Sequence, residues 1–182
     1  MKYYQEILLK NNIPCVIRNA QSEDAQAVID NFFVTHKETD YLLSYENEIT
    51  FTADGERVYL QKKEESEREV QLLAVINGKV VGMAGLDLLG NKQKIKHRAV
   101  FGVSVEKAYW GLGIGGALTK ACIACAKKGN IKQVELEVVA ENAAALSLYK
   151  KLGFVEYGRN PKGFLSRTSG WQELVLMRLE LD

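Results

Sequence analysis

The sequence predicts an α+β fold, with a mixed central sheet of about seven strands flanked by about four helices. Three observations predict it. Residues 132–140 alternate Val134, Leu136 and Val138 with Gln133, Glu135 and Glu137, the period of a half-exposed strand. Asn77-Gly78 separates two apolar runs, a strong hairpin signal. Gly111-Leu-Gly113-Ile-Gly115-Gly116 joins an apolar run to a helix-like run.

The elements follow in order. Residues 14–18 read as a first strand. Ser22-Glu23-Asp24 offers an N-cap and first-turn acids, so a helix is expected to about Lys37. Thr52-Ala-Asp54 starts a second helix, ending within 62–69. Its dense mixed charges, with Glu64 and Arg68 spaced i,i+4, mark a solvated face. Residues 70–76 and 80–88 are the hairpin strands. Gly90-Asn91 turns the chain into a strand at 100–105. A helix over 117–128, a strand over 132–140 and a short helix over 141–153 follow, the last ending at a glycine. Residues 154–158 and 173–181 supply two final strands. The resulting order, βααβββαβαββ, implies a mixed sheet and one domain spanning 1–182.

Composition narrows the function. The chain has 182 residues, 47% hydrophobic and 26% charged, enough for one sizeable core. A net charge of +1 gives no nucleic-acid footprint. No apolar run is long enough for a membrane helix, and Met-Lys-Tyr-Tyr-Gln-Glu carries no signal-peptide pattern, so a soluble cytoplasmic protein is expected. Cys122 and Cys125 form a C-x-x-C, but inside a helix and not at its N-terminus, where a thiolate is stabilised. With Cys15 they are expected to be buried thiols. No metal site is expected, since His36, His97 and Cys15 show no ligand spacing.

The glycine-rich junction points to an anion. A strand-to-helix turn without side chains exposes backbone N–H groups, and the helix adds its own unpaired N–H groups and dipole. A Walker loop is excluded, because no Gly-Lys-Ser/Thr follows. Gly111, Gly113 and Gly116 match G-x-G-x-x-G formally, and Glu137 or Glu141 keeps a dinucleotide reading open. That fingerprint belongs early in a repeating β-α-β chain, which this order is not. A glycine turn without a ligand needs one glycine, not four.

The downstream segment decides among these. Asn142-Ala-Ala-Ala-Leu-Ser-Leu-Tyr149-Lys-Lys-Leu-Gly153-Phe154, following Gly-x-Gly-x-Gly by a helix and a strand, resembles the GNAT superfamily of N-acetyltransferases. The match covers about residues 97–157. Leu136-Glu137-Val138 before Asn142 is similar to the ribosomal-protein alanine N-acetyltransferases. The resemblance implies a GNAT-like fold and transfer of an acetyl group from acetyl-CoA to a primary amine of a small molecule or protein N-terminus. It implies that Trp110, Gly111, Leu112, Gly113, Ile114, Gly115 and Gly116 hold the pyrophosphate. Val103 and Val105 would pair with the pantetheine arm, and Asn142 would contact the cofactor. A non-catalytic acyl-CoA sensor remains an alternative, and a homodimer stays open.

Acyl transfer needs a proton for the leaving thiolate and a sink for the amine proton. Tyr149 suits the first, since a phenol stays protonated at neutral pH. It lies two helical turns from Asn142, on one face. The family proton donor is the Tyr that it matches. Glu137 is the candidate base, directly or through water, against the reading of a plain strand residue. Many members carry a Glu where Val100 stands, and His97 lies three residues earlier. Trp110 replaces the family's usual Arg or Gln. Glu38, Asp40, Glu46 and Glu48, with Tyr41 and Tyr45, read as a solvated helix end, or as an acidic mouth for a cationic amine.

Overall fold

The computed structural model describes residues 1–182. Its strands are β1 (Tyr4–Leu8), β2 (Pro14–Asn19), β3 (Val70–Ile76), β4 (Lys79–Leu88), β5 (Arg98–Val105), β6 (Gln133–Val139), β7 (Val155–Ser166) and β8 (Gly170–Glu180). The helices are α1 (Ala25–Glu38), α2 (Ala53–Glu65), α3 (Ile114–Lys128) and α4 (Ala143–Lys151). One eight-stranded sheet runs β1-β2-β3-β4-β5-β6-β8-β7. Every pair is antiparallel except β5–β6. A single parallel pair excludes the parallel sheet of a dinucleotide-binding domain.

Strand alternation divides the core between the two faces. On one face Leu72, Leu86, Phe101, Val134 and Met177 pack with Leu118 of α3 in a cluster of 28 buried residues. On the other, Leu73, Val80 and Met83 pack with Val28 of α1 and Leu60 of α2 in a cluster of 7. Deleting a side chain such as Leu118, fully enclosed, costs about 3–5 kcal/mol. The smaller cluster reaches no farther along the sheet than β4, and beyond it this face is covered only in part. Val100 there is 43% exposed.

Three elements differ from expectation. β1 is an eighth strand; its sequence shows no alternation because only Ile7 is partly covered on this edge. α3 begins at Ile114 rather than 117, because a first helical turn tolerates Gly115 and Gly116. β7 continues to Ser166 through Pro161: it is an edge strand, and its register shifts between Asn160 and Phe164. α2 ends at Glu65, within the expected 62–69, where Ser66 takes extended backbone. The expected hairpin is present, with Asn77 at φ 50° and Gly78 at φ 78°.

Candidate active site

The site begins as a split in the sheet. β5 and β6 pair only where Arg98–Val100 meets Gln133–Glu135. Beyond that, β5 stays with β4 as far as Val105, and β6 stays with β8 as far as Val139. A wedge therefore opens toward the C-terminal ends of both strands. Val103 and Val105 lie on its β5 wall, partly buried against the larger core, with no strand on their β6 side.

The glycine loop closes the wide end. Gly111 and Gly113 have φ +79° and +96°, so a side chain at either is strained although the space is open. Gly115 and Gly116 differ: a Cβ on either would meet Leu148 of α4 at 3.7 or 3.4 Å, ordinary contact distances, so neither position requires glycine for space. Leu112 and Ile114 turn inward against the core. The first backbone bond at the start of α3 runs from Ala117 N to Gly113 O, leaving the N–H groups of Ile114, Gly115 and Gly116 ahead of the helical ladder. Side chains anchor inside and backbone donors face out. Buried Glu106 holds the loop from below: it accepts from Asn31 of α1 at 3.0 Å and pairs with Lys79 at 2.5 Å.

Tyr149 follows on α4, only 7% exposed. Its ring sits between Phe101 (centroids 6.2 Å) and Phe154 (5.7 Å). Burial pushes its phenol up to about 12. The only enclosed, unpaired side-chain polar atoms are Asn31 Oδ1 and Arg178 Nε. The Tyr149 hydroxyl has no protein partner either, so it retains contact with solvent. Asn142 caps α4, its side-chain oxygen accepting from Ala145 N at 3.2 Å.

The carboxylates on β6 separate into two kinds. Glu135 is buried and bound by Arg98 at 2.5 and 2.7 Å, and that guanidinium holds its carboxyl below the usual range. Glu137, two residues on along the same face, is exposed. His97 lies in the turn before β5, at the narrow end of the split and opposite the glycine loop, not on a strand face. Cys15, Cys122 and Cys125 are buried, and burial pushes Cys125 up to about 11.

A cavity of about 430 Å³ adjoins the wide end. Glu38, Asp40 and Tyr41 line it from the end of α1, Trp110 from the glycine loop, Glu141 from before α4 and Trp171 from β8. Asp40 sets its shape. One oxygen accepts from Ser166 at 2.6 Å, Ser169 at 2.9 Å and Thr168 at 3.1 Å, tying the segment after α1 to the β7–β8 turn. Tyr45 adds to this tie: its hydroxyl accepts from Arg167 N at 2.8 Å, and the Arg167 guanidinium lies 4.0 Å over its ring. The acidic residues after α1 thus divide. Glu38 and Asp40 enter a cavity, while Glu48 caps a turn at Tyr45. Trp171 and Gln172 carried no sequence signal, because the hairpin holding them reaches the site only through the long β7.

The family model described as Acetyltransferase (GNAT) family matches residues 31–154, from mid-α1 through α4. The chain belongs to that family. It is 28% identical over 148 residues to the L-amino acid N-acetyltransferase AaaT of Escherichia coli K12, covering 81% of this chain and 86% of that one. It is 28% identical to the ribosomal protein bS18-alanine N-acetyltransferase of the same organism, over 65% and 76% of the two chains. A GNAT acetyltransferase structure from Streptococcus pneumoniae matches with TM-score 0.88 and 27% identity, over 92% and 99%. YncA of Salmonella typhimurium, solved with its cofactor acetyl-CoA, matches in fold with TM-score 0.80 and 22% identity, over 92% and 94%. This GNAT protein is an acyltransferase that moves an acetyl group from acetyl-CoA to an amine.

Proposed function

We propose that acetyl-CoA lies in the β5–β6 wedge, its pyrophosphate against the backbone of residues 111–116, since the Trp110 N–H is spent on Lys107 O, and its pantetheine arm along the free side of Val103 and Val105. The observation that carries this reading is the wedge itself, which ends at a row of unpaired backbone N–H groups. The amine nitrogen attacks the thioester carbon; a C–N bond forms and the C–S bond breaks. Tyr149 gives its proton to the departing thiolate, and its unpaired hydroxyl and phenol pushed up to about 12 keep that proton available. The amine proton leaves to water held by Glu137, since Glu135 is committed to Arg98. Residues 1–182 act as one acetyltransferase domain. A free hydroxyl at Tyr149 favours catalysis over an acyl-CoA sensor.

CoA should raise the melting temperature, and NADH should not, because a ligand of the native state stabilises it by mass action. Gly113→Asp should abolish the CoA shift, by strain at φ +96° and by a carboxylate set against phosphates. Stabilisation by NADH alone would refute the cofactor assignment.

A further inference from the structure

The first residue of the glycine loop serves the far side of the cleft. Trp110 Nε1 donates to the Val105 carbonyl at 2.7 Å, which fixes the ring against the end of β5, where it walls the 430 Å³ cavity. Trp171 supplies a second indole. Trp110 and Trp171 are 48% and 55% exposed. The charged and amide groups between them are of one kind. Glu38 and Glu141 bring carboxylates, and Gln172 brings an amide oxygen.

Gln172 is the telling residue, because it is only 5% exposed. Its Nε2 donates to Asp40, at 3.3 Å to the backbone oxygen and 3.4 Å to the carboxylate. Its Oε1 has no protein partner and is not among the enclosed unpaired atoms, so it keeps some solvent access where Gln172 lines this cavity and a smaller one beside it. A largely buried side chain with an acceptor atom left without a protein partner is suited to an N–H donor. No Lys, Arg or His lines the cavity; Lys107 and Lys162 stand over the two indoles at 5.9 and 5.3 Å without joining the lining.

We propose that this cavity is the acceptor site and selects a cationic primary amine with no free carboxylate beside it, Trp110 acting as an acceptor-side specificity residue carried on the cofactor loop. The inference rests on the acetyltransferase reading above. An ammonium donates to Gln172 Oε1 and the glutamates, and indole faces attract it. A substrate carboxylate meets Glu38, Asp40 and Glu141 with no lining cation to offset them. That separates this chain from the free amino acid named for its Escherichia coli relative.

The test uses the purified protein with acetyl-CoA, following thiol release with L-phenylalanine amide, phenethylamine and agmatine against L-phenylalanine and L-glutamate. The carboxylate-free amines should show kcat/KM at least about tenfold higher. Trp110→Ala should raise the amine KM roughly 3- to 30-fold, with the CoA-induced melting shift retained. Glu141→Gln, isosteric and exposed, should raise it about 2- to 5-fold. Free amino acids used as well as the amides would overturn the proposal. So would a Trp110→Ala enzyme that loses CoA affinity and keeps its amine KM. No thiol release from any amine, with the CoA shift intact, would overturn the catalytic reading and this one with it.

Discussion

The cofactor side and the acceptor side of the cleft are built in opposite ways. On the cofactor side, one continuous stretch from β5 to α4 supplies the split strand, the glycine loop and Tyr149. Its donors are backbone groups, set by two glycines at positive φ and by inward side chains at Leu112 and Ile114. On the acceptor side, two distant segments meet through side chains. Asp40 reaches Ser166 across 126 residues, and Arg167 reaches Tyr45 across 122. The difference teaches that a backbone site tolerates drift in most of its side chains, whereas a site made of long-range side-chain ties changes with any one of them. Substitutions on the two sides should therefore fail in different ways.

The largest effect should come from the cofactor side. Tyr149→Phe removes one hydroxyl and little volume, between Phe101 and Phe154. We expect kcat to fall roughly 10²–10⁴-fold, with the CoA-induced melting shift unchanged. The wild-type phenol, pushed up to about 12 by burial, remains a donor throughout the ordinary assay range, so Tyr149 adds no alkaline limb below about that pH. Stopped-flow thiol release at saturating amine checks both statements. An unchanged kcat would reduce Tyr149 to packing.

The acceptor side should respond more moderately, and in KM. Asp40→Ala cuts the ties to Ser166, Ser169 and Thr168. A loss of about 1–2 kcal/mol is expected at this partly exposed group, or roughly 3–6 °C in Tm. The amine KM should rise while CoA binding is retained. The Ser166 hydroxyl first, then Ser169, Thr168 and Tyr45, holds the Asp40 carboxyl below the usual range. A depressed folded pKa gives stability that is present above the unfolded value near 3.9 and is lost as pH falls through the folded one. The Tm gap between wild type and variant should thus be constant from about pH 5 upward and shrink below about pH 4. A gap that does not narrow in acid would mean the carboxylate charge is irrelevant to the tie.

This contrast also explains what the sequence made legible. Gly111, Gly113 and Tyr149 stood out because their spacing is local, and the structure sets the two glycines at positive φ and Tyr149 on the buried side of α4. The order of strands and helices from β2 onward could be read for the same reason. β1 could not, because an edge strand with one covered residue shows no period. The length of β7 was hidden by Pro161, which an edge bulge accommodates. Asp40 looked like a solvated helix end, because nothing near it in sequence announces the three hydroxyls it binds. Trp110 looked like a phosphate-loop residue, since its bond to Val105 O and its place in the cavity exist only in three dimensions.

The smallest effect should lie on the strand between the two sides. Glu137 is exposed on β6, whereas Glu135 is spent on Arg98. A base acting through water matters only while the amine still carries its proton. Glu137→Gln should lower kcat/KM roughly tenfold at low pH, at the weak end of general-base effects. The defect should fade as pH nears the acceptor's own pKa, where the substrate arrives neutral. A pH profile of kcat/KM for both enzymes with one amine of known pKa reads this directly. A defect of constant size would make Glu137 a positioning group for the amine. A wild-type profile would leave proton removal to bulk water, and the backbone donors and Tyr149 would then carry the cofactor side of the reaction without help from β6.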